Sequence, residues 1–258
     1  MQPGSPMQVG AIEVWTARPD GVGASACETL RALLDAGERE RADAFRFDVD
    51  RNAFILAHAL RRMALGTALG ADPSELRFGT AAHGRPVLLD APEAPAFSLT
   101  RSRGLVACAV GRVTRLGVDV ETVNASVQAS VLDPFVVALP DAEPVDLFLQ
   151  WTALEAYWKA QGTGLSASNP RIGLRPFAGD DCFEVIDGNT LLPVGTVVLR
   201  LPAPEGHALA LASDELGDVR LVQLDGLATR RFAEEHRGIA ICKQRHCAEA
   251  QASSIVDP

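Results

Sequence analysis

The sequence predicts an α+β protein built of two comparable halves. Two observations predict it. Helical periodicity gives way to short strand-like runs twice along the chain, and turn residues separate those runs. The composition agrees, since 258 residues that are 47% hydrophobic can bury one large core or two small ones.

In chain order, a strand is expected near residues 11–17, followed by helices at 24–36 and 37–47. A longer helix at 50–69 places Phe54, Leu60, Met63 and Ala64 at helical spacing. Short strands follow at 76–79, 85–89, 97–100, 105–110 and 116–121. A second helical block covers 126–138 and 145–161, and further strands fall near 171–177, 182–186, 196–201, 207–212 and 219–224. The halves divide as 1–114 and 115–228, without a residue-level repeat between them. Residues 229–258 are expected to form a short helix and a polar tail.

The bulk numbers exclude some functions. No apolar run approaches the roughly 20 residues needed to cross a bilayer. The start lacks the basic and apolar regions of a signal peptide, so a cytoplasmic location is expected. A net charge of −9 argues against a general nucleic-acid binder. That charge is uneven: residues 1–118 carry +1 and the remainder −10. An Arg-rich first half suits anionic partners, and an acidic second half suits a cation. The five cysteines are scattered, with no Cys-x-x-Cys pair, and read as reduced thiols. The segment from Cys242 through His246 to Cys247 supplies no second ligand pair for zinc. Only two lysines occur, Lys159 and Lys243, in a chain that otherwise uses arginine.

Two segments carry candidate chemistry. In Leu116-Gly-Val-Asp119-Val-Glu121 the period of a strand puts both carboxylates on one face, where they repel unless a cation sits between them. Hard oxygen ligands at that spacing suit magnesium. In the helix around Trp151 to Gln161, Leu147, Trp151, Leu154 and Trp158 form one apolar stripe. Glu155 flanks it, with Lys159 one turn later. A glutamate at the edge of a core face suits a metal ligand or a general base. Taken singly, the same residues also suit solvated strand-end acids and an ordinary (i, i+4) surface pair.

Together these segments resemble the paired signature of the 4′-phosphopantetheinyl transferase superfamily, the type that activates surfactin synthetase. The likeness continues upstream in Arg39–Arg51 with Ala57-His-Ala-Leu-Arg-Arg62, in His83-Gly-Arg85-Pro86, and in Phe97-Ser-Leu-Thr100-Arg101-Ser102. It implies two similar lobes related by a pseudo-twofold, each a small antiparallel sheet packed with helices, with coenzyme A in the cleft between them. It implies Mg2+ held by Asp119, Glu121 and Glu155, with Glu155 and Lys159 as catalytic residues. Arg39, Arg41, Arg85, Thr100 and Arg101 are the implied contacts to coenzyme A. The implied activity is transfer of 4′-phosphopantetheine to a serine of an apo acyl or peptidyl carrier protein by a monomer, independent of membranes. The alternative is a relative that binds coenzyme A or a carrier without turnover. The chain departs from the family pattern at Arg101, where histidine is usual, and at Leu154, where lysine is usual.

Overall fold

Strand β1 (Ile12–Ala17) leads into three helices, α1 (Ala24–Ala32), α2 (Ala36–Asp43) and α3 (Asp48–Leu69). The computed structural model describes residues 11–81, 84–89, 91, 93–139, 145–166, 168–224 and 238–242. Periodicity alone carries the first helix to residue 36, but the structure ends it sooner because Asp35 caps α2. The Glu38 N–H donates to the Asp35 carboxylate at 2.8 Å, and the Asp35 N–H donates to the Glu38 carboxylate at 3.0 Å. This reciprocal box satisfies two donors that a helix start otherwise leaves unpaired.

The first sheet has the order β12–β11–β1–β5–β4, with β4 at Ala96–Ser102, β5 at Leu105–Gly111, β11 at Val219–Leu224 and β12 at Gly238–Cys242. Its pair β1–β11 is parallel, and β1–β5 is antiparallel. The second sheet is antiparallel throughout. It comprises β6 (Leu116–Thr122), β7 (Ile172–Pro176), β8 (Cys182–Asp187), β9 (Pro193–Leu201) and β10 (His207–Ser213), ordered β6–β10–β9–β8–β7. A hairpin of β2 (Phe78–Thr80) and β3 (Pro86–Leu88) stands beside them.

Alternation along the strands sorts apolar side chains into three cores. Trp15, Val106, Cys108 and Val110 pack against Leu56, Leu60 and Met63 of α3. Ile12, Val14, Leu105 and Ala107 turn the other way and meet Val118, Val120, Leu199 and Leu211 of the second sheet. Beyond that sheet, Val198, Ala210 and Ala212 receive Ala153, Leu154, Ala156 and Trp158 of α4 (Leu147–Gln161). The layers therefore run helices, sheet, sheet, helix.

The two sheets share a core, and β1–β5–β4 in the first has the same order as β6–β10–β9 in the second. Two expectations change. Strand β11, assigned by sequence to the second half, lies in the first sheet beside β1. The helix expected at 126–138 reduces to a 3-10 turn at Ala129–Leu132. Pro134 lacks the N–H needed to continue it, and Asn124 diverts the backbone by accepting from the Ser126 N–H at 3.0 Å. The stretch 229–258 falls mainly outside the described residues; its described part, Gly238–Cys242, is a strand. Among the described residues no helix is long and apolar enough to cross a membrane.

Candidate functional site

Helix α4 lies against β6 with almost no spacing, and Gly117 makes that possible. A Cβ at Gly117 would stand 1.9 Å from the Ala156 carbonyl oxygen and 2.6 Å from the Ala160 backbone nitrogen. Strand backbone and helix backbone are thus in direct contact. The close fit brings Glu155 and Lys159 of α4 over the face of β6 that carries Asp119 and Glu121, opposite the inter-sheet side chains Val118 and Val120.

Asp119 is 3% exposed. Its Oδ1 accepts from Thr100 Oγ1 at 2.8 Å and from Lys159 Nζ at 2.6 Å. Its Oδ2 is buried with no hydrogen-bond partner. Burial raises the proton affinity of Asp119 above the usual carboxylate range, opposed by the Lys159 charge and the Thr100 hydroxyl. Glu121 and Glu155 are raised too, first by burial and then by the negative charge of Asp119. Three carboxylates held near one ammonium leave a surplus of negative charge.

The two sheets meet here through hydroxyls, a device that sequence reasoning missed. Ser98, Thr100 and Ser102 alternate along β4 and accept the β6 N–H groups of Val118, Val120 and Thr122 at 3.1, 3.4 and 3.0 Å. The protons can be followed. Thr100 gives its hydroxyl proton to Asp119, whereas Thr122 gives its own to the Arg103 carbonyl at 2.9 Å. Ser102 therefore donates best to Thr122 Oγ1, 2.9 Å away, and Glu121 Oε2 at 3.4 Å is the weaker acceptor. Asp119 is fixed and Glu121 is the freer carboxylate. The period-two hydroxyls in Ser98-x-Thr100-x-Ser102 were the available signal.

At the other end of α4 a pocket of about 200 Å³ is lined by Gly84, Arg85, Phe97, Ser98, Lys159 and Gly162, among others. Gly162 ends the helix with φ +77°, a conformation that favours glycine, and a Cβ there would lie 3.2 Å from Arg85 Nη1. Arg85 and Lys159 thus face one concavity, and Lys159 joins it to the acids. His83 lies outside the described residues.

The remaining predicted residues are dispersed. Arg39 donates to the Leu34 carbonyl, within the α1–α2 turn. Arg41 and Arg101 flank Phe54, with guanidinium carbons 5.9 and 5.8 Å from its ring centroid. Leu154 is 1% exposed, in the core between α4 and the second sheet. His58 is structural in its contacts: its ring stacks on Phe54 at 4.0 Å and its Nδ1 lies 3.0 Å from Glu38 Oε1.

Among the described residues no group of three or more His, Cys, Asp or Glu side chains is gathered closely enough to hold a metal ion. Asp119, Glu121 and Glu155 sense one another's charge without closing a coordination shell. By chemistry they still fit a hard divalent cation: the donors are all oxygen, their charge is only partly offset by Lys159, and Asp119 Oδ2 lacks any partner.

No family model matches the chain. Among curated proteins, it is 32% identical to the 4′-phosphopantetheinyl transferase HetI of Nostoc sp. over 154 residues, 55% of this chain and 65% of that protein. It is 27% identical to a phosphopantetheinyl transferase of Thraustochytrium sp., over 60% of this chain and 62% of the relative. It is 26% identical to the 4′-phosphopantetheinyl transferase Sfp of Bacillus subtilis, over 54% and 65% respectively. The chain spans just under two thirds of the length of each of these relatives. The likeness to several curated 4′-phosphopantetheinyl transferases, together with the motifs on β6 and α4, supports the resemblance to that superfamily.

Proposed function

We propose that the chain transfers the 4′-phosphopantetheine arm of coenzyme A to a serine of an apo carrier protein, with Mg2+, releasing 3′,5′-adenosine bisphosphate. The observation that carries this reading is the side chain of Lys159, which touches the buried acid Asp119 and lines the pocket that holds Arg85. A diphosphate lying along the seam between β4 and β6, in the cleft between the two halves, would meet cations at the pocket and acids beside it.

Asp119, Glu121 and Glu155 are the residues that would hold the metal. When bound, Mg2+ supplies neutralisation of the diphosphate charge. Arg85 grips phosphate oxygens through its fork of donors. Glu155 takes the proton from the carrier serine as the general base. The serine oxygen attacks the β-phosphorus, and Lys159 steadies the charge on the leaving oxygens. Arg41 and Arg101, beside Phe54, suit the adenosine end.

The test is to incubate the chain with coenzyme A, Mg2+ and an apo carrier and to weigh the carrier by mass spectrometry. A gain of one phosphopantetheinyl group is expected, and Glu155→Ala is expected to slow it by at least about 100-fold. Tight coenzyme A binding without mass gain on any carrier would assign the chain to binding rather than transfer. The Arg-rich first half also predicts docking of an acidic carrier surface, so transfer slows several-fold as salt rises beyond physiological strength. Rates that ignore salt would remove that docking mode.

A further inference from the structure

We propose that Lys159 is a resident counter-ion, which holds Asp119 in the resting chain and leaves it for the diphosphate of coenzyme A when a divalent cation arrives. This rests on the reading of the acids as a cation site and adds how Lys159 couples its two ligands.

Asp119 is used unevenly. Both of its hydrogen bonds fall on Oδ1, from Lys159 Nζ and from Thr100, while Oδ2 is bare. A buried carboxylate with one bare oxygen is costly unless a cation stands close. In this structure that cation is the ammonium. Its second acceptor is the Val118 carbonyl at 3.3 Å, so Nζ is anchored to β6 at two points. Yet the side chain keeps 28% of its surface exposed and lines the pocket facing Arg85, a short swing from where an anion would sit. A divalent cation at Oδ2 would stand a few ångströms from the ammonium and repel it. A diphosphate beside Arg85 would offer the ammonium a new partner at that moment.

The swing couples two ligands. The cation alone has to displace Lys159 into water, and the diphosphate alone has to draw it from Asp119. Together each removes the other's cost, so Mg2+ and coenzyme A each tighten binding of the other, reciprocally. A lysine suits the task better than an arginine, because a point charge on a flexible stem can change partners without matching a planar fork.

The chain has only two lysines, which makes the motion directly readable. In wild-type protein labelled at lysine, Mg2+ and coenzyme A added together are expected to shift the Lys159 signal, assigned as the one missing from Lys159→Gln. Calorimetry with Mn2+ alone is expected to show roughly tenfold tighter binding to Lys159→Gln, as for removal of a like charge a few ångströms away. Lys159→Arg keeps the charge, and its affinity for Mn2+ alone is expected to stay near that of wild type. A Lys159 signal unmoved at saturation overturns the proposal, as does Mn2+ binding to folded Lys159→Gln that is unchanged or weaker. The wild-type carrier mass assay, run in parallel, separates the two ideas. Transfer with a static Lys159 removes only the counter-ion, whereas failure of both transfer and cation binding removes the functional reading with it.

Discussion

Gly117→Ala is expected to be the most damaging single-methyl change in the chain. The added carbon would overlap the Ala156 carbonyl oxygen at 1.9 Å and crowd the Ala160 nitrogen at 2.6 Å. Both are backbone atoms inside a helix, so no side-chain rotation relieves the clash. Either α4 lifts off the sheet or β6 buckles. Lifting α4 loosens its packing of Ala153, Leu154 and Trp158 on Val198, Ala210 and Ala212, and it separates Lys159 from Asp119. Overpacking in a core costs about 1–3 kcal/mol, and rigid neighbours put this site at the upper end or beyond. A loss of roughly 3 kcal/mol lowers Tm by about 6–12 °C for a chain of this size. Thermal melts check the stability and the carrier mass assay checks the site. A variant that melts within a degree or two of wild type and transfers normally would remove direct strand–helix contact as the basis of the site.

The same contact shows what the sequence could and could not disclose. That Asp119 and Glu121 share a face follows from the strand period, and Glu155 and Lys159 follow from helical spacing, because both are local regularities. The meaning of Gly117 is not local. It depends on which helix crosses the strand, and no periodicity encodes that crossing. Likewise the hydroxyls of Ser98, Thr100 and Ser102 look like ordinary strand residues until β6 is known to lie beside them. Strand β11 reads correctly as a strand, but its return to β1 is a question of topology that an isolated run of six residues does not answer. The helix expected at 126–138 fails differently. Its apolar spacing is real, but Pro134 and the Asn124 turn outweigh it. At Asp35 a signal was present, since Asp-x-x-Glu is the pattern of a reciprocal cap, and it would have set the start of α2.

Glu38 is the other residue whose replacement should be costly, and its effect should depend on pH. It is 1% exposed, and its carboxylate binds Arg61, Arg62, His58 and the Asp35 N–H. Arg62 in turn donates to the carbonyls of Pro73 and Leu76, and Arg61 lies 3.6 Å over the Phe78 ring. Phe78 packs edge-on against Phe97, which lines the Arg85 pocket. The network therefore ties α2, α3 and the approach to β2 into one body that supports the pocket wall. Burial opposes the charge on Glu38, but the His58 bond, the Asp35 N–H and the two guanidinium groups outweigh it and hold the group at about 2 against an ordinary 4.5. A depressed carboxylate contributes stability that is present above its unfolded value and lost as the pH falls toward its folded one. Glu38→Gln leaves two buried guanidinium groups short of an acceptor and is expected to cost roughly 3–5 kcal/mol near pH 7. The gap between variant and wild type should narrow as the pH falls from about 4.5 to about 2. Urea melts across that range check it. A gap that stays constant from pH 7 down to the acid limit would mean that the charge of Glu38 contributes nothing, and that the helices are held by packing alone.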